Sequence, residues 1–82
     1  MQKQALITGA TSGIGRATAL RLAGAGYDII ATGRRAERLA ELKAAIEAAG
    51  GCCTTLAFDV RSEEEVRRNL EPLGRIDLLV NN

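Results

Sequence analysis

This chain has no histidine, no tryptophan, one tyrosine, one phenylalanine and one proline among its 82 residues. With no His, and with its only cysteines, Cys52 and Cys53, side by side, a zinc site lacks ligands and a disulfide framework lacks partners. Both are excluded, and the two Cys read as reduced thiols at the start of a strand. Scarce aromatics leave core building to Leu, Ile, Val and Ala, the habit of parallel sheets covered by helices. No apolar run approaches the ~20 residues of a membrane span, and Gln2, Lys3 and Gln4 lead into the first apolar run, so a cytoplasmic protein is expected. Nor does one sign of charge prevail. The net charge is +1, and nine Arg and two Lys are interspersed with acidic residues, which leaves no nucleic-acid or membrane footprint. Eighty-two residues allow one domain at most, and a chain this short hides a smaller share of its surface, so its margin of stability is thin.

What the chain does have is glycine at special places. Residues 8–15 read T-G-A-T-S-G-I-G, after the apolar run Ala5, Leu6, Ile7 and before a helix-like segment. Strand, glycine loop and helix make a phosphate cradle: glycine lets backbone approach an anion, and the helix N-terminus offers unpaired N–H groups and partial positive charge. The candidate cradle residues are Gly9, Thr11, Ser12, Gly13, Ile14 and Gly15. A P-loop, G-x-x-x-x-G-K followed by Ser or Thr, is excluded because Ala10, Arg16 and Ala17 stand at its signature positions.

The rest of the chain alternates. A first strand covers Gln4–Thr8, and a helix over residues 13–25 carries small Ala17, Ala19, Ala23 and Ala25 against the sheet and ends at Gly26. A second strand spans 27–32, with Gly33, Arg34 and Arg35 as the turn after it. A second helix over 36–49 presents Leu39, Leu42 and Ile46 as one stripe. The third strand covers 54–60. Ser62 and Glu65 form a capping box for a third helix, whose apolar residues are Val66, Leu70 and Leu73 and which Pro72 and Gly74 stop. A fourth strand over 76–80 leads to Asn81 and Asn82. Right-handed crossovers turn this β-α-β-α-β-α-β order into a parallel sheet, order 3-2-1-4, half of a doubly wound Rossmann α/β fold.

The T-G-x-x-x-G-I-G loop resembles that of the short-chain dehydrogenase/reductase family. The resemblance extends along the chain through Gly33-Arg34-Arg35 after strand two, Asp59-Val60 after strand three and D-L-L-V-N-N at 77–82. The acidic residue that would hold a free ribose 2′-hydroxyl at the end of strand two is missing; Gly33 stands there, followed by two guanidiniums suited to a 2′-phosphate. NADP is thereby favoured over NAD. The resemblance implies that backbone at 12–15 holds the pyrophosphate, Arg34 and Arg35 the 2′-phosphate, Asp59 the adenine amino group and Val60 a ring nitrogen. It also implies that Asn81-Asn82 begins the family's N-N-A-G, with Asn82 near the cofactor ribose.

Equally informative is what departs from the family. Its catalytic Ser and its Tyr-x-x-x-Lys pair have no counterpart: Tyr27 is followed four residues later by Ala31, so no catalytic residue is assigned. Residues 1–82 therefore read as the cofactor-binding portion of an NADP-dependent oxidoreductase, with the catalytic half absent. The phrase A-T-G-R-R with Glu37, Arg38 and Leu39 resembles the branch acting on small 3-hydroxy acids. The alternative is an excised or engineered half-Rossmann module that binds nucleotide weakly or self-associates through strand 76–80, whose edge is open and apolar.

Overall fold

Strands of four to six residues, separated by helices, fold into a parallel four-stranded sheet in the computed structural model, which describes residues 3–58 and 61–82. In chain order the elements are β1 (Gln4–Thr8), α1 (Gly13–Gly24), β2 (Asp28–Gly33), α2 (Ala36–Ala48), β3 (Cys53–Ala57), α3 (Glu63–Leu70), a 3₁₀ turn (Glu71–Leu73) and β4 (Leu78–Asn81). The strand order is β3-β2-β1-β4, as the alternation predicts. Parallel ladders align Leu6 with Ile30 on one side and with Leu79 on the other, and Ile29 with Cys53.

Side chains alternate across the sheet, so the two faces differ in cover. Ala5, Ile7, Ile29, Ala31 and Cys53 pack with Ala19 of α1 and Leu39, Leu42 and Ile46 of α2 into one buried cluster. The α2 stripe is thus fully realised. Of the four alanines expected against the sheet, Ala19 is buried and Ala23 half-buried, whereas Ala17 and Ala25 face solvent, because one helical face holds few of the four positions. Leu6 and Ile30 point to the opposite face, where Leu6, Thr8, Thr32, Phe58, Leu79 and Asn81 line a groove with Val66 and Leu70 of α3. Leu79 remains 61% exposed there.

Several boundaries move, for identifiable reasons. Gly33 belongs to β2, not to a turn, because its ladder with β3 continues to Ala57. β3 starts one residue early, at Cys53; the expected strand end, Asp59 and Val60, lies outside the described residues. Pro72 does not simply stop α3: it sits in the 3₁₀ turn, where its missing N–H is tolerated. β4 begins at Leu78, not at residue 76, and includes Asn81. Its approach is fixed earlier by reciprocal bonds, Gln4 N to Asp77 Oδ2 (2.9 Å) and Asp77 N to Gln4 O (2.9 Å). Gln4 Nε2 also donates to the carbonyls of Leu73 and Arg75.

Of the two free thiols, Cys52 is exposed and Cys53 is buried in the sheet. Burial pushes the Cys53 thiol up to about 11; nearby Lys43 opposes the shift and Glu47 adds to it. No helix among the described residues is long and apolar enough to cross a membrane, and no cluster of metal ligands occurs among them.

Candidate functional site: an arginine-lined cradle

The site starts from a tight turn at the C-terminal end of β1. Gly9 has φ of 62°, a left-handed conformation that costs glycine little. Its carbonyl accepts from the Ser12 amide (3.2 Å) and the Ser12 hydroxyl (3.0 Å), and Ser12 Oγ accepts the Gly15 amide (3.3 Å) as the N-cap of α1. Gly15 lies directly beneath: a Cβ there would collide with the Gly9 carbonyl and come within 2.8 Å of Asn82 Nδ2. The loop is tied to β2 by the Ala10 amide, which donates to the Thr32 carbonyl at 3.0 Å.

Asn82 closes the loop from the β4 side. Its Nδ2 donates to the Gly9 carbonyl at 3.0 Å and to Ser12 Oγ, and its amide donates to Thr8 Oγ1 at 3.1 Å. Thr8 Oγ1 in turn donates to Asn81 Oδ1 at 2.9 Å. The amides of Thr11, Gly13 and Ile14 have no hydrogen-bond partner among the described residues. The loop therefore saturates its inner groups and leaves a row of outward donors at the positive end of α1.

Gly9, Thr11 and Ser12 face a cavity of about 440 Å³ that is also lined by Gly33, Arg34, Arg35, Arg38, Phe58 and Arg61. Four arginines line it, with no carboxylate among the described lining residues, so their field attracts anions. Gly33 fits there for a steric reason as well: a Cβ would sit 3.1 Å from Thr11 Cγ2. The cavity brings together five of the predicted residues, Gly9, Thr11, Ser12, Arg34 and Arg35. Gly13 and Ile14 start α1 beside it, Ile14 being 77% exposed, while Gly15 and Asn82 shape the loop from behind. Asp59 and Val60 lie outside the described residues. Sequence reasoning missed Arg38, Phe58 and Arg61; for Arg38 the signal was its spacing of three from Arg35.

A close-approach glycine loop, outward amides and an arginine-lined wall suit a pyrophosphate with a further phosphate beyond it. The family described as short chain dehydrogenase matches residues 3–82. The chain belongs to the short chain dehydrogenase family. Among relatives of that family, a probable NADP-dependent dehydrogenase of Haemophilus influenzae is 46% identical over 82 residues, covering 95% of this chain and 31% of that protein. A serine 3-dehydrogenase of Rhizobium radiobacter is 48% identical over 81 residues, covering 94% of this chain and 31% of its own length. A metagenomic short-chain oxidoreductase solved in complex with NADP superposes with a TM-score of 0.92 at 33% identity, over 100% of this chain and 39% of that one. The chain thus spans about a third of the length of the family members it matches.

Proposed function

We propose that residues 1–82 are the NADP(H)-binding portion, an incomplete Rossmann domain, of a cytoplasmic oxidoreductase that interconverts an alcohol and a carbonyl. The observation that carries this reading is the arginine-lined cavity beside the glycine loop. The loop fits the group physically: the amides of Thr11, Gly13 and Ile14 have no partner among the described residues at the N-terminus of α1, and glycine at Gly9 and Gly15 lets the loop pack closely on Asn82 behind them. Bound there, the cofactor supplies hydride chemistry. The chain's own residues bind and orient: the backbone at Gly9, Thr11, Ser12, Gly13, Ile14 and Gly15 takes the pyrophosphate, and Arg34 and Arg35 take the 2′-phosphate. By the family resemblance, Asp59 and Val60 take the adenine and Asn82 lies at the ribose. No proton-transfer pair is assigned to these residues. Tyr27 packs against the core cluster, just before the N-terminal end of β2 and away from the cavity. The substrate of the whole protein is a small 3-hydroxy acid or its carbonyl counterpart, a reading supported by the serine 3-dehydrogenase relative.

Titration calorimetry tests the assignment. NADP⁺ is expected to bind at least about tenfold more tightly than NAD⁺, the worth of one charge-assisted contact; equal affinities overturn it.

A second reading rests on the 61% exposure of Leu79 on a strand whose outer edge has no neighbour in the sheet among the described residues. On that reading the 82 residues pair with a second copy through β4.

A further inference from the structure

The chain caps two of its helices in the ordinary way and inverts the third. Ser12 Oγ accepts the Gly15 amide at the start of α1, and Ser62 Oγ accepts the Glu65 amide at the start of α3, where three Glu fill the first turn. At α2 the N-cap is Arg35, which makes no side-chain capping bond. The residue three positions on, where α3 carries Glu65, is Arg38. Both positions that favour an oxygen acceptor and a carboxylate thus hold a cation, and Arg34 adds a third just before them.

Such like charges repel at i, i+3 and i, i+4 spacing, and the positive end of the helix repels them again. Glu37 is the acidic residue of the same turn, but no ion pair among the described residues joins it to these cations. Arg34, Arg35 and Arg38 have no ion pair or hydrogen bond through their guanidiniums among the described residues, whereas Arg68 and Arg75 are paired with Glu64 and Asp77. All three instead line the cavity that holds the outer face of the glycine loop.

We infer that Arg38 is a specificity-determining residue of the nucleotide site, a third guanidinium for the phosphate on the adenosine ribose alongside Arg34 and Arg35. The inference rests on the NADP reading. Two Arg balance a phosphate dianion; the third makes the site favour the phosphorylated ribose more strongly than the Arg pair alone does. Its place in the first full turn of α2, above buried Leu39, holds its stem on a rigid element.

The test is calorimetric titration of the 82-residue chain with adenosine 2′,5′-bisphosphate and with adenosine 5′-monophosphate. Arg38→Gln is expected to weaken the bisphosphate about tenfold, the loss of one charge-assisted hydrogen bond, and to change the monophosphate less than about twofold. Arg38→Lys should recover part of the loss, and Arg21→Gln, on exposed α1 surface outside the cavity, should alter neither ligand. If the unmodified chain prefers the bisphosphate and Arg38→Gln keeps that preference, the role of Arg38 is refuted while the NADP reading stands. Equal loss for both ligands also refutes it, by showing a general field or fold effect. If the unmodified chain fails to discriminate, or binds neither ligand at millimolar concentration, both readings fall together.

Discussion

Asn82 Nδ2 donates to the carbonyl oxygen of Gly9 at 3.0 Å, joining positions 73 residues apart and fixing the glycine loop against the end of β4. The same side chain reaches Ser12, the N-cap of α1. The geometry of the cradle is therefore set by a strand distant in sequence as well as by the loop itself.

Gly15 is the tightest point of that arrangement, and Gly24 offers the contrast. A Cβ at Gly15 meets the Gly9 carbonyl and Asn82, so Gly15→Ala is expected to lower stability by about 1–3 kcal/mol, as overpacking does, and to abolish nucleotide binding. A Cβ at Gly24 meets nothing within 4 Å, so Gly24→Ala in α1 should raise stability by about 0.4–1 kcal/mol and leave binding alone. Urea melts of the two variants, read beside calorimetry, check the opposite signs.

Cys53 gives a pH signature. Its thiol titrates near 11 in the folded chain against an ordinary value of 9.0, because burial disfavours the thiolate. Between those values the unfolded chain has already lost the proton that the folded chain keeps. Stability is then whole below pH 9 and falls as pH rises towards 11, by on the order of 2 kcal/mol from this group. Cys53→Ala should flatten that part of the profile relative to the parent, as denaturant melts at pH 8 and 10.5 would report. A parent profile no steeper than that of the variant refutes the account.

Leu79 tests the open edge. If β4 pairs with a second copy, sedimentation velocity will show dimers or larger species that Leu79→Lys disperses, since a charge on an exposed edge opposes pairing. A well-folded monomer for the parent chain, with slowly exchanging β4 amides, argues against association.

Most of the architecture was legible because local signals agreed with each other. The α2 stripe of Leu39, Leu42 and Ile46, the cap at Ser62 and the bounds of β1 all follow from spacing alone. The misplaced boundaries lie where tertiary pairing outvoted local chemistry: Gly33 looks like a turn residue but is held in β2 by its partner Ala57, and the clasp of Gln4 on Asp77 defers the start of β4 to Leu78. In the site, glycine spacing announced the loop. The part played by Asn82 in bracing it, and the convergence of Arg38, Phe58 and Arg61 on the cavity, depend on crossovers that bring distant residues together, which periodicity does not encode.

The position of β4 beside β1 also sets an order of assembly. The β1–β2 and β2–β3 ladders join residues 24 apart in sequence, whereas the β1–β4 ladder joins residues 73 apart, a loop closure costing ~1 kcal/mol more by chain entropy. Three strands and two helices can thus form from near neighbours before β4 arrives. Because Asn82 comes with it, the cradle takes shape only in that final step. In a refolding experiment, helical signal should lead and nucleotide capture should lag, so that ligand binding reads out the completion of folding rather than its beginning.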